Sequence, residues 1–228
     1  MQKKTARLAG LLYLVVVLTG IFSLAYVPSK LIVWQDADKT FQNISSSRQL
    51  FRLSIASSML CYIAFLLLPL VLYRLLYTVN AVYAKLMVIF AVASVPISLI
   101  NLQNRFSVLT IVSGADYLRD AGTGQLQSQV MTFLDAYSSG ILIVQLFWGL
   151  WLFPFGYLVY KSNFLPKILG VCLMLGCFGY MISTFCDTII PDFGRYSISR
   201  FLTMPASVGE IGICLWLLIV GVRNKKAT

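Results

Sequence analysis

The chain has 228 residues, of which 59% are hydrophobic and only 11% charged, and it carries a net charge of +10. A soluble domain has about 25% charged residues, so a soluble globular fold is excluded and an integral membrane protein is expected. The basic excess comes without any nucleic-acid motif, so no nucleic-acid partner is expected; the absence of histidine removes the commonest metal ligand and general base, and no metal or cofactor is expected.

An apolar run of about 20 residues crosses the hydrocarbon core as a helix. Six such runs are predicted, at about 8–27, 50–73, 85–112, 129–160, 166–188 and 200–222. They make an all-α, integral membrane bundle of six transmembrane helices, in a single membrane domain over 1–228 whose main expected surroundings are the lipid bilayer. The first run follows the basic "MQKKTAR" and ends near "SLA", which resembles a secretory signal. Its apolar stretch continues through Tyr26 and Val27, longer than the roughly 7–15 residues of a signal-peptide core, so it is read as a retained span.

Lys3, Lys4, Arg7, Arg74, Lys85, Lys161, Lys167, Arg223, Lys225 and Lys226 fall on one side of these spans, and that side has no acid. Clustered Lys and Arg mark the cytoplasmic face, so both termini are expected there. The opposite loops mix Lys30, Lys39, Arg48, Arg52, Arg119, Arg195 and Arg200 with Asp36, Asp38, Asp116, Asp120, Asp187 and Asp192. In the first of those loops "SKLIVWQDADKTF" alternates apolar and charged residues, which predicts either an interfacial segment anchored by Trp34 or a plain solvated loop.

Polar residues inside the spans are the candidate functional groups. At about 100° per residue, Ser94, Ser98, Asn101 and Arg105 fall on one stripe of the third span. The sixth places Thr203, Ser207, Glu210 and Cys214 on another. Asp135 sits in the fourth, and the fifth adds Tyr180, Ser183 and Asp187. An unpaired charge there costs from about 2.5–3.5 kcal/mol on insertion scales to about 10–17 for an isolated arginine in simulation. Arg105 is therefore expected to pair with Asp135, Glu210 or both, and Glu210, the deeper acid, is the candidate proton-exchanging group. The expected outward-opening polar pocket comprises Asn101, Arg105, Asp135, Glu210, Ser98, Ser207, Ser183 and Tyr180.

The rest of the chain reads as packing. "FWGLWLFPFGYLVY" is expected to form an aromatic belt at the cytoplasmic boundary. "GVCLMLGCFGY" reads as a close helix contact through small residues, and the five cysteines lack metal-ligand spacing. No nucleophile elbow, HExxH or P-loop occurs, so no catalytic residue is assigned.

The segments "ARLAGLLYLVVVLTGIF", "GADYL", "FLDAYSSG", "YKSNFLPKILGVCLMLGCFGY" and "GEIGICLWLLIVGV" occur in an order and spacing that resembles the bacterial multi-pass membrane family catalogued as domain of unknown function 4386. The resemblance runs nearly end to end. It implies a bacterial cytoplasmic (inner) membrane protein without an established activity, with Asn101, Asp135 and Glu210 at the family's recurring polar points. Tyr137 departs from the family's more frequent "LDAH", which weakens any histidine relay beside Asp135, and Arg105 has no counterpart in the pattern. Three functions stay open: binding or passage of a small polar solute or proton, a structural or partner-binding subunit whose charges only fix helix packing, and, with least support, a lipid-modifying enzyme. A homo-oligomer is compatible with each.

Overall fold

A computed structural model describes residues 2–118, 120–190, 193 and 197–222, with backbone only at 197–200. Arg119, Asp192, Arg195, Arg223, Lys225, Lys226 and the side chain of Arg200, all used in the charge pattern above, lie outside the described residues. Regular structure among the described residues is entirely helical, and six helices are long and apolar enough to cross a membrane: Gln2–Leu31, Arg48–Leu76, Ala81–Val112, Thr123–Lys161, Lys167–Ile189 and Phe201–Ile219.

The elements in order are α1 (Gln2–Gly20), a π-helical stretch (Ile21–Tyr26), α2 (Val27–Leu31), α3 (Ala37–Ser46), α4 (Arg48–Leu76), α5 (Ala81–Asn101), α6 (Gln103–Val112), a 3₁₀ turn (Asp116–Leu118), α7 (Thr123–Lys161), α8 (Lys167–Ile189) and α9 (Ser197–Ile219). They pack as two compact units. One comprises residues 1–15, 63–96 and 142–228, and the other residues 16–62 and 97–141.

The unit formed by 16–62 and 97–141 is organised around its short helices. Asp36 stands in extended backbone ahead of α3, and its Oδ1 accepts the Lys39 amide at 2.9 Å, satisfying a donor that the first helical turn leaves open. Thr40 then ties the loop back on itself: its hydroxyl accepts the Val33 amide at 2.8 Å and donates to the Val33 carbonyl at 3.0 Å. These bonds hold Ile44 in an apolar core with Val27, Leu31, Phe51, Leu102, Val108 and Val130. The alternating segment thus comprises the end of α2, a turn at 32–36 that holds the exposed Trp34, and the start of the amphipathic helix α3, which is docked rather than loose.

In the unit formed by 1–15, 63–96 and 142–228, small residues set how closely the helices approach. A Cβ on Gly10 would stand 2.5 Å from the Leu218 amide nitrogen, and one on Gly176 would stand 2.6 Å from the Ala206 Cα. Gly156 and Gly170 face each other's backbone carbonyls in the same way, joining α7 to α8. Such contacts are how membrane helices gain dispersion energy where lipid offers no hydrophobic drive. The aromatic belt expected in α7 is corrected here. Trp151 and Phe155 are buried, stacked at 5.1 Å with an interplanar angle of 12°, and Phe65 meets Trp151 edge-on. Phe153 and Tyr160 are the exposed aromatics of the run, and the Tyr160 ring at its end lies under the Lys167 ammonium. All five cysteines are free.

Candidate functional site

The expected pocket residues divide between the two units. Ser98, Asn101, Arg105 and Asp135 belong to one, and Tyr180, Ser183, Ser207 and Glu210 to the other.

Around Arg105 the local chain geometry supplies a specific acceptor. In the π-helical stretch the Val27 amide bonds to the Phe22 carbonyl, five residues back. The next amide in that register would reach Ser23, but residue 28 is proline and has no N–H. The Ser23 carbonyl is left open within its own helix, and Arg105 Nη1 donates to it at 3.2 Å. The guanidinium is held between two rings, its carbon 4.8 Å from the Tyr137 centroid and 5.3 Å from that of Phe51. Each cation–π contact reaches about 2 kcal/mol when desolvated, and a bond from a charged donor adds about 1.5–3. Together they approach the several kcal/mol that burying one ion costs. None of these partners is a carboxylate, so they offset the burial without neutralising the charge.

The expected Arg105–Asp135 pair is accordingly corrected. Asp135 lies on an exposed face of α7, shared with Ser138 and Ser139. Periodicity put Asp135 on one face of its helix but could not say which way that face turned. Arg105 is only 1% exposed, and its Nε has no hydrogen-bond partner among the described residues.

Asn101 braces the same cluster. Its Nδ2 donates to the Tyr137 carbonyl at 2.9 Å, and its Oδ1 accepts from Asn104 Nδ2 at 3.1 Å. The approach depends on Gly140, because any Cβ there would overlap the Asn101 carboxamide. Ser98 is buried one turn earlier. Tyr62 completes the group. Its hydroxyl lies close to the Tyr137 hydroxyl and near Arg105, and by strict hydrogen-bond geometry both buried tyrosine hydroxyls are without a partner among the described residues.

In the other unit, Glu210 Oε1 accepts a hydrogen bond from the Tyr13 hydroxyl at 2.9 Å. Tyr180 is close enough to feel the Glu210 carboxylate. The remaining expected members do not join them. Ser183 is buried but turns along its own helix toward Asp187 Oδ2 at 3.3 Å, and Ser207 is exposed and bonds back to the Thr203 carbonyl. Glu210 thus takes a phenol rather than a cation as its hydrogen-bond partner.

Four contributors were not read from sequence. Tyr13, Phe51 and Tyr62 look like ordinary apolar-span residues, and Ser23 acts through its backbone. Pro28 was the one visible signal for Ser23, since a proline in the last turns of a span frees a carbonyl upstream. A groove of about 270 Å³ next to Ser107, Thr110, Tyr117 and Phe133 is lined by none of the expected residues.

Six apolar spans with buried polar clusters define a multi-pass helical membrane protein. The model of the family described as Domain of unknown function (DUF4386) matches residues 8–221, and the chain belongs to that family. An uncharacterized protein of Archaeoglobus fulgidus is 34% identical over 88 residues, covering 39% of this chain and 50% of the archaeal one. That relative is archaeal, so it lends no support to the bacterial origin expected above. No solved structure matches the chain.

Proposed function

We propose that this protein binds or passes a small polar solute or proton within the membrane interior, with Arg105 and Glu210 as the groups that meet it. One observation carries the reading: among the described residues neither charge has an ionic partner inside its own unit, Arg105 resting on a carbonyl and two rings and Glu210 on a phenol. A subunit whose charges only fix helix packing would be expected to neutralise them against each other, because a lone charge in hydrocarbon is expensive. Intramembrane ionisable groups, which pair with one another or with backbone carbonyls, commonly mark solute and proton paths.

The test is a mutant cycle on the purified full chain joined to a flux measurement. Arg105→Gln and Glu210→Gln, singly and together, are compared for thermal stability in detergent; additive effects are expected. Recovery in the double variant would instead establish a structural pair. Proteoliposomes holding a pH-sensitive dye are then given a pH step, and wild type is expected to dissipate it faster than Glu210→Gln. Equal rates would remove the proton arm of the reading.

A further inference from the structure

Among the described residues the cluster around Arg105 contains one full positive charge and no acid, since Asp135 lies on the exposed face of α7. Three of its hydrogen-bond donors remain unused among the described residues: Arg105 Nε and the hydroxyls of Tyr62 and Tyr137. These residues are 1%, 3% and 8% exposed. Buried donors in proteins are nearly always satisfied, and leaving one unmet costs about as much as a lost hydrogen bond is worth. The two hydroxyls lie near enough to share one bond between them, which still leaves the guanidinium Nε and one hydroxyl unmet beside the same charge. Water would satisfy the donors but leave the charge unbalanced. An anion does both.

We propose that this cluster is a binding site for a small monovalent anion, held by the Arg105 guanidinium and the Tyr62 and Tyr137 hydroxyls. A single charge is specified because the cluster offers a single cation. Small size is specified because the Phe51 and Tyr137 rings flank the guanidinium and leave it almost fully enclosed. The chemistry is that of a halide, nitrate or short carboxylate, each an acceptor for N–H and O–H donors with no donor of its own. Asn101 and Gly140 are positioning residues, because the carboxamide bonded to the Tyr137 carbonyl fixes the helix that carries the Tyr137 ring. The inference rests on the interior-solute reading above and names its solute class.

The test measures thermal unfolding of the purified full chain in detergent, in sodium gluconate exchanged at constant ionic strength for sodium chloride, nitrate or acetate, with sulfate as a divalent control. Wild type is expected to show a saturable rise in Tm with at least one of the three monovalent anions and none with sulfate. Arg105→Gln is expected to abolish it. Tyr62→Phe combined with Tyr137→Phe keeps both rings and removes both hydroxyls, and it is expected to weaken the apparent affinity by about tenfold or more. This second variant keeps the test decisive should Arg105→Gln not fold. A flat response of wild type to all three anions, or an unchanged response in the hydroxyl-free variant, would overturn the site. If the anion response is absent while Glu210-dependent proton flux persists, only the solute class falls. If both are absent, the interior-solute reading falls with it.

Discussion

Tyr13 and Glu210, separated by 197 positions, meet at 2.9 Å, so the first span and the last are joined by a phenol donating to a carboxylate. In a low-dielectric interior this bond is worth more than its surface equivalent. Tyr13→Phe, which keeps the ring tilted against Trp151, is expected to destabilise the protein by about 1–3 kcal/mol. Thermal unfolding in detergent checks it. In the background of Glu210→Gln the same substitution should have a smaller effect, because the acceptor it serves has changed.

Asp135 faces outward and Arg105 has other partners, so Asp135→Asn is expected to change stability by no more than about 0.5 kcal/mol. Combined with Arg105→Gln it should add without coupling. A large interaction energy in that cycle would restore the ion pair that the exposed face of α7 argues against.

Gly140→Ala is expected to destabilise by about 1–3 kcal/mol, the usual penalty for overfilling a packed site. The added methyl would overlap the Asn101 side chain. Adding Asn101→Ala removes the obstacle, so the double variant should recover part of the loss. Unfolding midpoints of the three variants decide the matter, and purely additive losses would show that Gly140 serves something other than that approach.

Gly10→Ala meets backbone rather than a flexible side chain, with the Leu218 amide 2.5 Å from the new atom. The first and last spans would have to move apart, at a cost of about 1–3 kcal/mol. Gly122→Ala, where a Cβ meets open space, is the matched control and is expected to be near neutral.

The spans were legible in the residues because hydropathy reports burial in lipid directly. The predicted 50–73 is a helix over Arg48–Leu76, and the predicted 8–27 lies within Gln2–Leu31. Several ends run longer than predicted because a helix continues past the hydrocarbon into polar residues such as Arg48 and Lys161, where hydropathy falls but backbone bonding does not, whereas the last span stops at Ile219, short of the predicted 222. Asn101 and Arg105 were also legible, since lipid cannot solvate them. Their surroundings were not. A stripe identifies one helix face and is silent about the face opposite, so Asp135 was placed inward when it is exposed. Tyr62 and Phe51 carry no mark that separates them from packing aromatics. Tyr137 did stand out, as a departure from the family's "LDAH", and it is the ring that lies against Arg105.

The carbonyl that receives Arg105 belongs to a residue 82 positions earlier in the chain. Proteins are made from the N-terminus, and their early segments are available first. When the third span enters the bilayer, the open Ser23 carbonyl and the Phe51 ring have already been synthesised, whereas Tyr137 has yet to emerge. The arginine therefore enters the membrane after one acceptor and one aromatic face have been made, and the fourth span then closes over it. The gap that Pro28 leaves in the first span is in this sense an instruction about order of assembly, written upstream of the residue that uses it.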